Sequence, residues 1–316
     1  AASPVPFVVR LLVVTTLNAT LLLQAAADAA ADQHYPAGAL YVVATPIGNR
    51  ADLTLRAIHV LALVDAIACE DTRHSTPLLR QLGIDKPLLA LHRHNEHAAA
   101  AAVLERLRLG QRVAYVSDAG TPALSDPGAV LVAAIQAEGL RTIPIPGPSS
   151  ALAALSVAGD ASNGGFTFIG FLPARGAERA LALAGLAADP STQLLFEAPH
   201  RIGALLHELG ERCGARAVTL CRELTKQFET VVTMPAADLS AWLDTDPNRS
   251  RGEFVLVVHA LAAAGADADA PAHDAALQIL LAALPLKQAV ALAAQLTGAP
   301  RNLLYERALA LKNAAG

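Results

Sequence analysis

The feature that most constrains the fold is a regular alternation, from Gly38 onward, of short apolar segments with longer segments of helical periodicity. The apolar segments LYVVA, AIACE, LLAL, RVAYV and RTIPI have the length of buried strands, and EHAAAAAVLERLRLG is typical of the helical segments between them. Strands that alternate with helices form a largely parallel sheet covered by helices. We therefore predict an α/β unit over residues 38–149.

A second unit is predicted over residues 150–261. Its strand candidates are FTFIG, TQLLFEA, RAVTLC, ETVVTM and EFVLVVHA, and HRIGALLHELGERCG is its clearest helix. The last strands have short connections, which favours a mixed sheet. The Ala-, Asp-, Gly- and Pro-rich residues 262–273 are typical of a linker.

Residues 274–316 form a third region, in which we predict three short helices. Pro285 separates the first two, and Thr297 and Gly298 separate the second from the third. This spacing fits a helix-turn-helix. A small bundle packed on the main body fits it equally well, so contact with nucleic acid stays an open alternative.

The first 37 residues do not continue this pattern. One arginine, an apolar stretch and a run of alanines give them a partial likeness to a signal peptide, but the apolar run is short and interrupted by polar residues. We expect residues 1–37 to be a disordered extension or the product of a misassigned start. Export by this segment is the alternative.

Charge and cysteine content narrow the function classes. The net charge of −4 and the pI near 6.2 argue against a protein coated in basic charge for nonspecific nucleic-acid binding. The three cysteines contain no CxxC pair, and no HExxH-like spacing is present. We therefore expect neither a disulfide framework nor a metal site, and a reducing compartment.

Three strand-end loops are rich in turn-forming and small polar residues. They are VVATPIGN (42–49), VSDAGTPALSDPG (116–128) and PIPGPSSAL (144–152). Ligands of open parallel sheets bind at the carboxyl ends of strands, and glycine lets backbone approach a ligand closely. GxGxxG and a Walker A lysine are both missing, so a Rossmann dinucleotide site or a P-loop is poorly supported. The three loops predict one shared crevice, with helix caps near Asp52 and at Ser125 or Asp126.

Charged clusters follow other strands. They are CEDTRHS (69–75), LHRHNEH (91–97), FEAPHR (196–201) and CRELTKQFE (221–229). Each mixes carboxylates with arginine, lysine or histidine. Four such clusters at strand ends predict a polar cleft between the two units, suited to an anionic partner.

The ordered set of motifs is more specific than any one of them. TPIGN, EDTRH, HNE, SDAGTPALSDPG, PGPSSA, GFLP, EAPHR, ELTK and GEFVLVV occur in this order from about Gly38 to His259. Together they resemble the class III S-adenosylmethionine-dependent methyltransferases of the tetrapyrrole methylase fold. Within that class, the combination is similar to bacterial ribosomal RNA small-subunit ribose 2′-O-methyltransferases.

The resemblance implies two αβα domains with the methyl donor, S-adenosylmethionine, in the cleft between them, and a small C-terminal helical segment. It implies a donor site formed mostly through backbone groups. The residues it implies there are Pro46, Gly48, Gly120, Thr121, Leu124, Ser149, Ser150, Phe196 and Arg222.

The reaction it implies is methyl transfer to the 2′-oxygen of a cytidine ribose in the decoding region of 16S ribosomal RNA. A positioned base is needed, because a hydroxyl is a poor nucleophile. Asp71, Glu96, Glu197, Glu223 and His74 are candidates. Arg73, Arg201 and Lys226 are candidates for holding phosphates or a developing oxyanion. The pairs Glu197 with Arg201 and Glu223 with Lys226 are favoured, since EAPHR and ELTK place opposite charges at strand ends.

The resemblance also implies the 30S subunit as substrate, a homodimer, cytoplasmic location and no membrane association. Two alternatives stay open. One is a methylase of the same fold that acts on a tetrapyrrole, and the other is a non-catalytic ribosome-assembly factor.

Overall fold

The computed structural model describes residues 18–92, 95–124, 128–161, 165–261 and 270–314. The first sheet contains β1 (Ala39–Val43), β2 (Ala66–Cys69), β3 (Leu88–Ala90), β4 (Val113–Val116) and β5 (Arg141–Ile145). All its pairings are parallel, in the order β3-β2-β4-β1-β5. The predicted parallel α/β unit is therefore confirmed.

Helices cover both faces of this sheet. They are α2 (Leu55–Leu63), α3 (Thr72–Gln81), α4 (Glu96–Arg108) and α5 (Ala129–Ala137). Adjacent residues of β1 enter different cores, since Leu40 packs with the α4–α5 side and Tyr41 with the α2 side. The cap of α2 is Thr54, two residues beyond Asp52, and its hydroxyl accepts from the amide of Ala57 at 3.1 Å. The caps predicted at Ser125 and Asp126 lie outside the described residues.

The second sheet is mixed, as its short connections predicted. Its elements are α6 (Ser150–Ala158), β6 (Phe166–Phe171), α7 (Gly176–Ala188), β7 (Thr192–Glu197), α8 (Ile202–Cys213), β8 (Ala217–Arg222), β9 (Thr230–Pro235), α9 (Ala236–Asp244) and β10 (Phe254–Val258). The strand order is β6-β7-β10-β8-β9. Only β6 and β7 pair in parallel. Helix α6 packs on one face, and α7, α8 and α9 pack on the other.

Part of the segment expected to be a disordered extension is folded, so that expectation is wrong for residues 18–37. Helix α1 (Ala19–Ala30) is capped by Asn18 and packs on α2. Its Ala26 and Ala30 are buried, and Tyr35 closes the same core. The alanine-rich face allows a close helix–helix approach, which the sequence pattern did not distinguish from a processing signal. Residues 1–17 lie outside the described residues.

The three predicted C-terminal helices are confirmed as α10 (Ala270–Ala283), α11 (Leu286–Thr297) and α12 (Arg301–Ala314). Pro285 precedes α11, and Gly298 ends it in the left-handed conformation. The helices enclose a core of their own around Leu277, Val290 and Leu304. Helix α10 begins inside the predicted linker, of which residues 262–269 lie outside the described part. Within the described ranges, no helix is both long and apolar enough to span a membrane.

Candidate active site

A cavity of about 360 Å³ lies between the two units, where loops at the carboxyl ends of β4 and β5 meet the second sheet. The first unit contributes Ala119, Gly120, Thr121, Leu124 and Ser149. The second contributes Ser150, Ala151, Phe171, Phe196, Glu197, Ala198, Pro199, Glu253, Phe254 and Val255. Clefts at this edge of an α/β sheet are the usual place for a ligand.

Hydrogen bonds, most of them between main-chain groups, join the three glycine- and proline-rich loops. Thr45 and Gly120 exchange two of them, from Thr45 N to Gly120 O at 2.9 Å and from Gly120 N to Thr45 O at 3.0 Å. The Thr121 hydroxyl donates to the carbonyl of Pro148 at 3.0 Å. The loops therefore form one frame, as the sequence predicted for a shared crevice.

Six of the residues assigned to the donor line this cavity. They are Gly120, Thr121, Leu124, Ser149, Ser150 and Phe196. The other three are placed elsewhere. Pro46 and Gly48 lie in the loop at the rim, and the guanidinium of Arg222 donates to the carbonyls of Arg251 and Phe228. Arg222 pairs with Phe254 across the sheet, on the face opposite to Phe196.

The loop of Gly48 touches the second unit directly. The amide of Asn49 donates to the Thr225 hydroxyl at 3.1 Å. A Cβ on Gly48 would lie 2.5 Å from Cγ of Lys226, so a larger residue would displace that lysine. The rim of the cleft is thus closed by contact between the TPIGN and ELTK motifs.

The wall from the second unit is aromatic. Phe196 makes edge contacts with Phe168 and Phe171 at centroid distances of 5.1 and 5.6 Å. An apolar wall of this kind suits a flat ring, while the backbone around Gly120 offers hydrogen-bonding groups on the other side.

A charged network lies at the rim. The ammonium of Lys226 is 2.8 Å from Glu223 Oε1 and 3.1 Å from Glu253 Oε2, and the amide of Glu253 donates to Glu223. Burial opposes charge on Glu223, but the bonds from Lys226 and the Glu253 amide hold its pKa below the ordinary value. The same carboxylates raise the pKa of Lys226 against its burial. Lys226 is therefore a fixed cation. Sequence reasoning missed Glu253, although the GEFVLVV motif contained it.

Glu197 and Arg201 form the predicted pair, with 3.0 Å between Arg201 Nε and Glu197 Oε1. Glu197 lines the cavity, but its side chain is fully buried and also lies 3.8 Å from Arg179 of α7. Arg201 also donates to the carbonyl of Leu172. The carboxylate of Glu197 is thus directed to α7 and α8, and the pair fixes the loop after β7.

The EDTRH motif forms a second charged cluster, beside the cavity. Asp71 caps α3 and binds the Arg73 guanidinium at 2.6 Å, and Asp118 binds His74 Nδ1 at 2.7 Å and the amide of Asp71 at 3.2 Å. Hydrogen bonds from Arg73 hold the pKa of Asp71 well below its usual range, and Asp118 raises the pKa of His74. Glu96 is the first residue of α4.

Three non-glycine residues of the described chain have a left-handed backbone, and all lie in loops that border the cavity or its rim. They are Ala123, Glu223 and Thr225, with φ of 67°, 52° and 68°. Such a conformation costs about 1–3 kcal/mol and is typical of functional loops. The sequence carries no signal for it.

Comparison with known proteins agrees with this architecture. Residues 39–240 match the family model of tetrapyrrole (corrin/porphyrin) methylases, and residues 267–312 match an RsmI C-terminal HTH domain. The solved structure of the cobalt precorrin-4 methyltransferase CbiF superposes with a TM-score of 0.52, at 21% identity, over 71% of this chain and 98% of that one. Diphthine synthase superposes with 0.55, at 16% identity, over 70% and 90%. The fold is that of the tetrapyrrole methylases, as predicted.

Curated relatives are much closer in sequence. The ribosomal RNA small subunit methyltransferase I of Pseudomonas aeruginosa is 46% identical over 86% of this chain and 97% of the relative. The proteins of the same name from Escherichia coli O157:H7 and Xylella fastidiosa are 47% and 48% identical over 86% and 85% of this chain, and over 95% and 98% of those relatives. This chain belongs to the tetrapyrrole methylase family, and within it to the family of the ribosomal RNA small subunit methyltransferases I.

Proposed function

We propose that this protein transfers the methyl group of S-adenosylmethionine to the 2′-oxygen of a cytidine ribose in 16S ribosomal RNA, in the decoding region of the 30S subunit. The observation that carries the proposal is the cavity between the two units, in a chain whose relatives are ribosomal RNA small subunit methyltransferases I.

The residues present fit this cofactor. A volume of about 360 Å³ is in the range of small-molecule sites. Phe171 and Phe196 provide a surface for the adenine ring, and the loop around Gly120 and Thr121 and the serines at the start of α6 provide polar contacts. When bound, S-adenosylmethionine supplies an electrophilic methyl group on a cationic sulfur.

The chain itself must orient the ribose and manage its proton. Two carboxylates line the cavity, and they differ in availability. Glu197 is buried and paired. The Glu253 side chain is 76% exposed, and its Oε2 lies 3.1 Å from the ammonium of Lys226. Glu253 is the better-placed proton acceptor. Lys226, which Glu223 holds in position, stabilises negative charge that develops on the 2′-oxygen.

The remaining predicted residues have supporting roles in this proposal. Glu197 and Arg201 fix the loop after β7, and Asp71 orients Arg73. The Arg73 side chain is 87% exposed beside the cleft, where it is available to a phosphate of the RNA. A nucleotide turned out of its stack would bring its ribose to the cleft.

We further propose that the protein acts as a homodimer in the cytoplasm. Support for the homodimer comes from the resemblance to the methylase family and from exposed apolar residues on the edge strand β6, namely Phe166, Ile169 and Phe171. Light scattering after gel filtration tests this, and a monomer at micromolar concentration contradicts it.

The test uses 30S subunits from a bacterial strain that lacks its own ribosomal RNA small subunit methyltransferase I. Purified protein and labelled S-adenosylmethionine are added, and 16S RNA fragments are analysed by mass spectrometry. We expect one 2′-O-methylcytidine in the decoding region.

Two other outcomes overturn the proposal in different directions. Methylation of a precorrin substrate, with none of 30S RNA, assigns the chain to tetrapyrrole chemistry. Binding to 30S subunits without affinity for S-adenosylmethionine in equilibrium dialysis assigns it to ribosome assembly.

A further inference from the structure

A second cavity, outside the proposed active site, lies between α7 and α8 and measures about 320 Å³. Its charged lining consists of Arg175, Arg179, Arg201, Arg212 and Glu208. Four guanidinium groups therefore face one carboxylate. This is unexpected in a chain with a net charge of −4, and no step of the proposed reaction uses it.

Two of the arginines are already engaged and give the cavity a rigid wall. Arg179 is 6% exposed, binds Glu208 Oε2 at 2.5 Å and donates to the carbonyl of Pro173. Arg201 binds Glu197 and donates to the carbonyl of Leu172. Glu208 is thus hydrogen-bonded by Arg179, and the buried Glu197 is paired through Oε1 with Arg201.

The other two arginines are exposed and have no ion-pair partner within the described residues. Arg175 immediately precedes α7, whose amino end carries partial positive charge, and Arg212 lies on α8. Since Glu208 and Glu197 are already bound by Arg179 and Arg201, neither of these two carboxylates compensates the charge of Arg175 and Arg212. An arginine-lined cavity of this kind favours a phosphate group, which a guanidinium binds through two parallel hydrogen bonds.

The position of this cavity relates it to the active site. Phe171, the last residue of β6, lines the active-site cavity, and the loop that follows contributes Ala174 to the arginine cavity. Glu197 lines the first cavity, and its partner Arg201 lines the second. The two cavities thus share one wall.

We propose that the arginine cavity between α7 and α8 binds a backbone phosphate of the RNA substrate while the target ribose occupies the active-site cavity. This rests on the proposed function. It adds to that function a contact that positions the RNA but takes no part in methyl transfer.

The experiment compares wild-type protein with Arg175→Ala/Arg212→Ala. Equilibrium binding to naked 16S RNA and to unmethylated 30S subunits is measured across a range of salt concentrations, and methylation kinetics are measured in parallel. Arg141→Glu is the control variant, because Arg141 is exposed at the amino end of β5, at the sheet edge away from both cavities.

We expect the double variant to bind both RNA substrates about tenfold more weakly and to raise the KM for 30S subunits similarly. The slope of log K against log salt should fall by about 0.7, which corresponds to one lost single-strand phosphate contact. S-adenosylmethionine affinity, kcat and Tm should stay at wild-type values, and Arg175→Lys/Arg212→Lys should recover most of the affinity.

Three results overturn the inference. Unchanged RNA affinity and salt slope in the double variant would exclude a phosphate contact. A loss confined to 30S subunits, with naked RNA bound normally, would indicate an acidic protein surface instead. An equal loss in Arg141→Glu would mean that only overall charge matters. Failure of the proposed function is distinguishable, because the wild-type protein itself would then not methylate 30S subunits.

Discussion

The two units hold the candidate site by different means. In the first unit, the loops that follow β1, β4 and β5 are joined mainly by main-chain groups, through the Thr45–Gly120 exchange and the bond from Ala44 N to Ile145 O, and the Thr121 hydroxyl adds a bond to the Pro148 carbonyl. In the second unit, the loops that follow β7 and β8 are held by ion pairs of Glu197 and Lys226. The first unit thus determines the shape of the cleft, and the second unit determines its charge. Substitutions should therefore fail for different reasons on the two sides.

The largest effect is expected at Lys226. Lys226→Met removes the fixed cation at the rim, and we expect kcat to fall by about 10²–10³-fold while S-adenosylmethionine affinity stays unchanged. Steady-state kinetics on 30S subunits and calorimetry with the cofactor measure the two quantities. Lys86→Met is the control, because Lys86 precedes β3 at the opposite end of the first sheet. A wild-type kcat in Lys226→Met would show that the charge of Lys226 does not stabilise the transition state.

A substitution of Glu197 tests whether the buried Glu197–Arg201 pair contributes to stability or to catalysis. Glu197→Gln leaves Arg201 without its buried counter-charge, so the free energy of unfolding should fall by about 3 kcal/mol. Urea denaturation measures this loss. Because the carboxylate is directed to α7 and α8, kcat of the remaining folded enzyme should fall far less than in Lys226→Met. A normal stability with a large loss of kcat would instead identify Glu197 as the base.

Gly128 tests the reliance of the first unit on backbone shape. It precedes α5 with φ of 122°, and a Cβ there would lie 2.3 Å from the buried Tyr115 ring. Gly128→Ala should lower the free energy of unfolding by about 2 kcal/mol. Gly139, after the same helix, also has positive φ but open space around it, so Gly139→Ala should cost about 1 kcal/mol or less. Equal losses in thermal unfolding would show that the Tyr115 contact is unimportant.

The smallest effect is expected at the His74–Asp118 pair. This pair is an exception, because it is an ion pair in the first unit, whose loops are otherwise held mainly by main-chain bonds. Asp118 raises the pKa of His74, while Asp71 adds to that shift and Arg73 opposes it. A raised folded pKa means that the pair stabilises the protein below the ordinary histidine range and ceases to do so as pH rises through the folded value. Asp118→Asn should therefore lower the pKa of His74 in an NMR titration and lower Tm slightly at pH 5.5, but not at pH 8. An unchanged titration would mean that the pair does not form in solution.

Much of the fold could be predicted from periodicity, because apolar strands of three to six residues between helices leave a strong pattern. The five strands of the first sheet follow from it, and the mixed character of the second sheet follows from its short connections. Helix α1 was missed because an alanine face that packs on α2 has the same composition as a processing signal. The start of α10 was missed because its first turn has the composition of the preceding linker.

The site was predictable to a different degree. Glycines, prolines and serines at strand ends indicate a crevice, and six of the nine residues that the family resemblance implied for the donor line the cavity. The direction of a side chain is set by the alternation along a strand and by partners distant in sequence. Sequence therefore could not show that Glu197 is directed to α7 and α8, that Arg222 lies on the far face, or that Glu253 borders the cavity.

The main-chain exchange between Thr45 and Gly120 has a wider consequence. It needs only an amide and a carbonyl at each position, so most changes of side chain nearby leave it intact. Such a frame can stay constant through evolution while the surroundings drift. The cobalt precorrin-4 methyltransferase CbiF and diphthine synthase share the fold of this chain at only 21% and 16% identity, so the fold itself tolerates wide change of side chains.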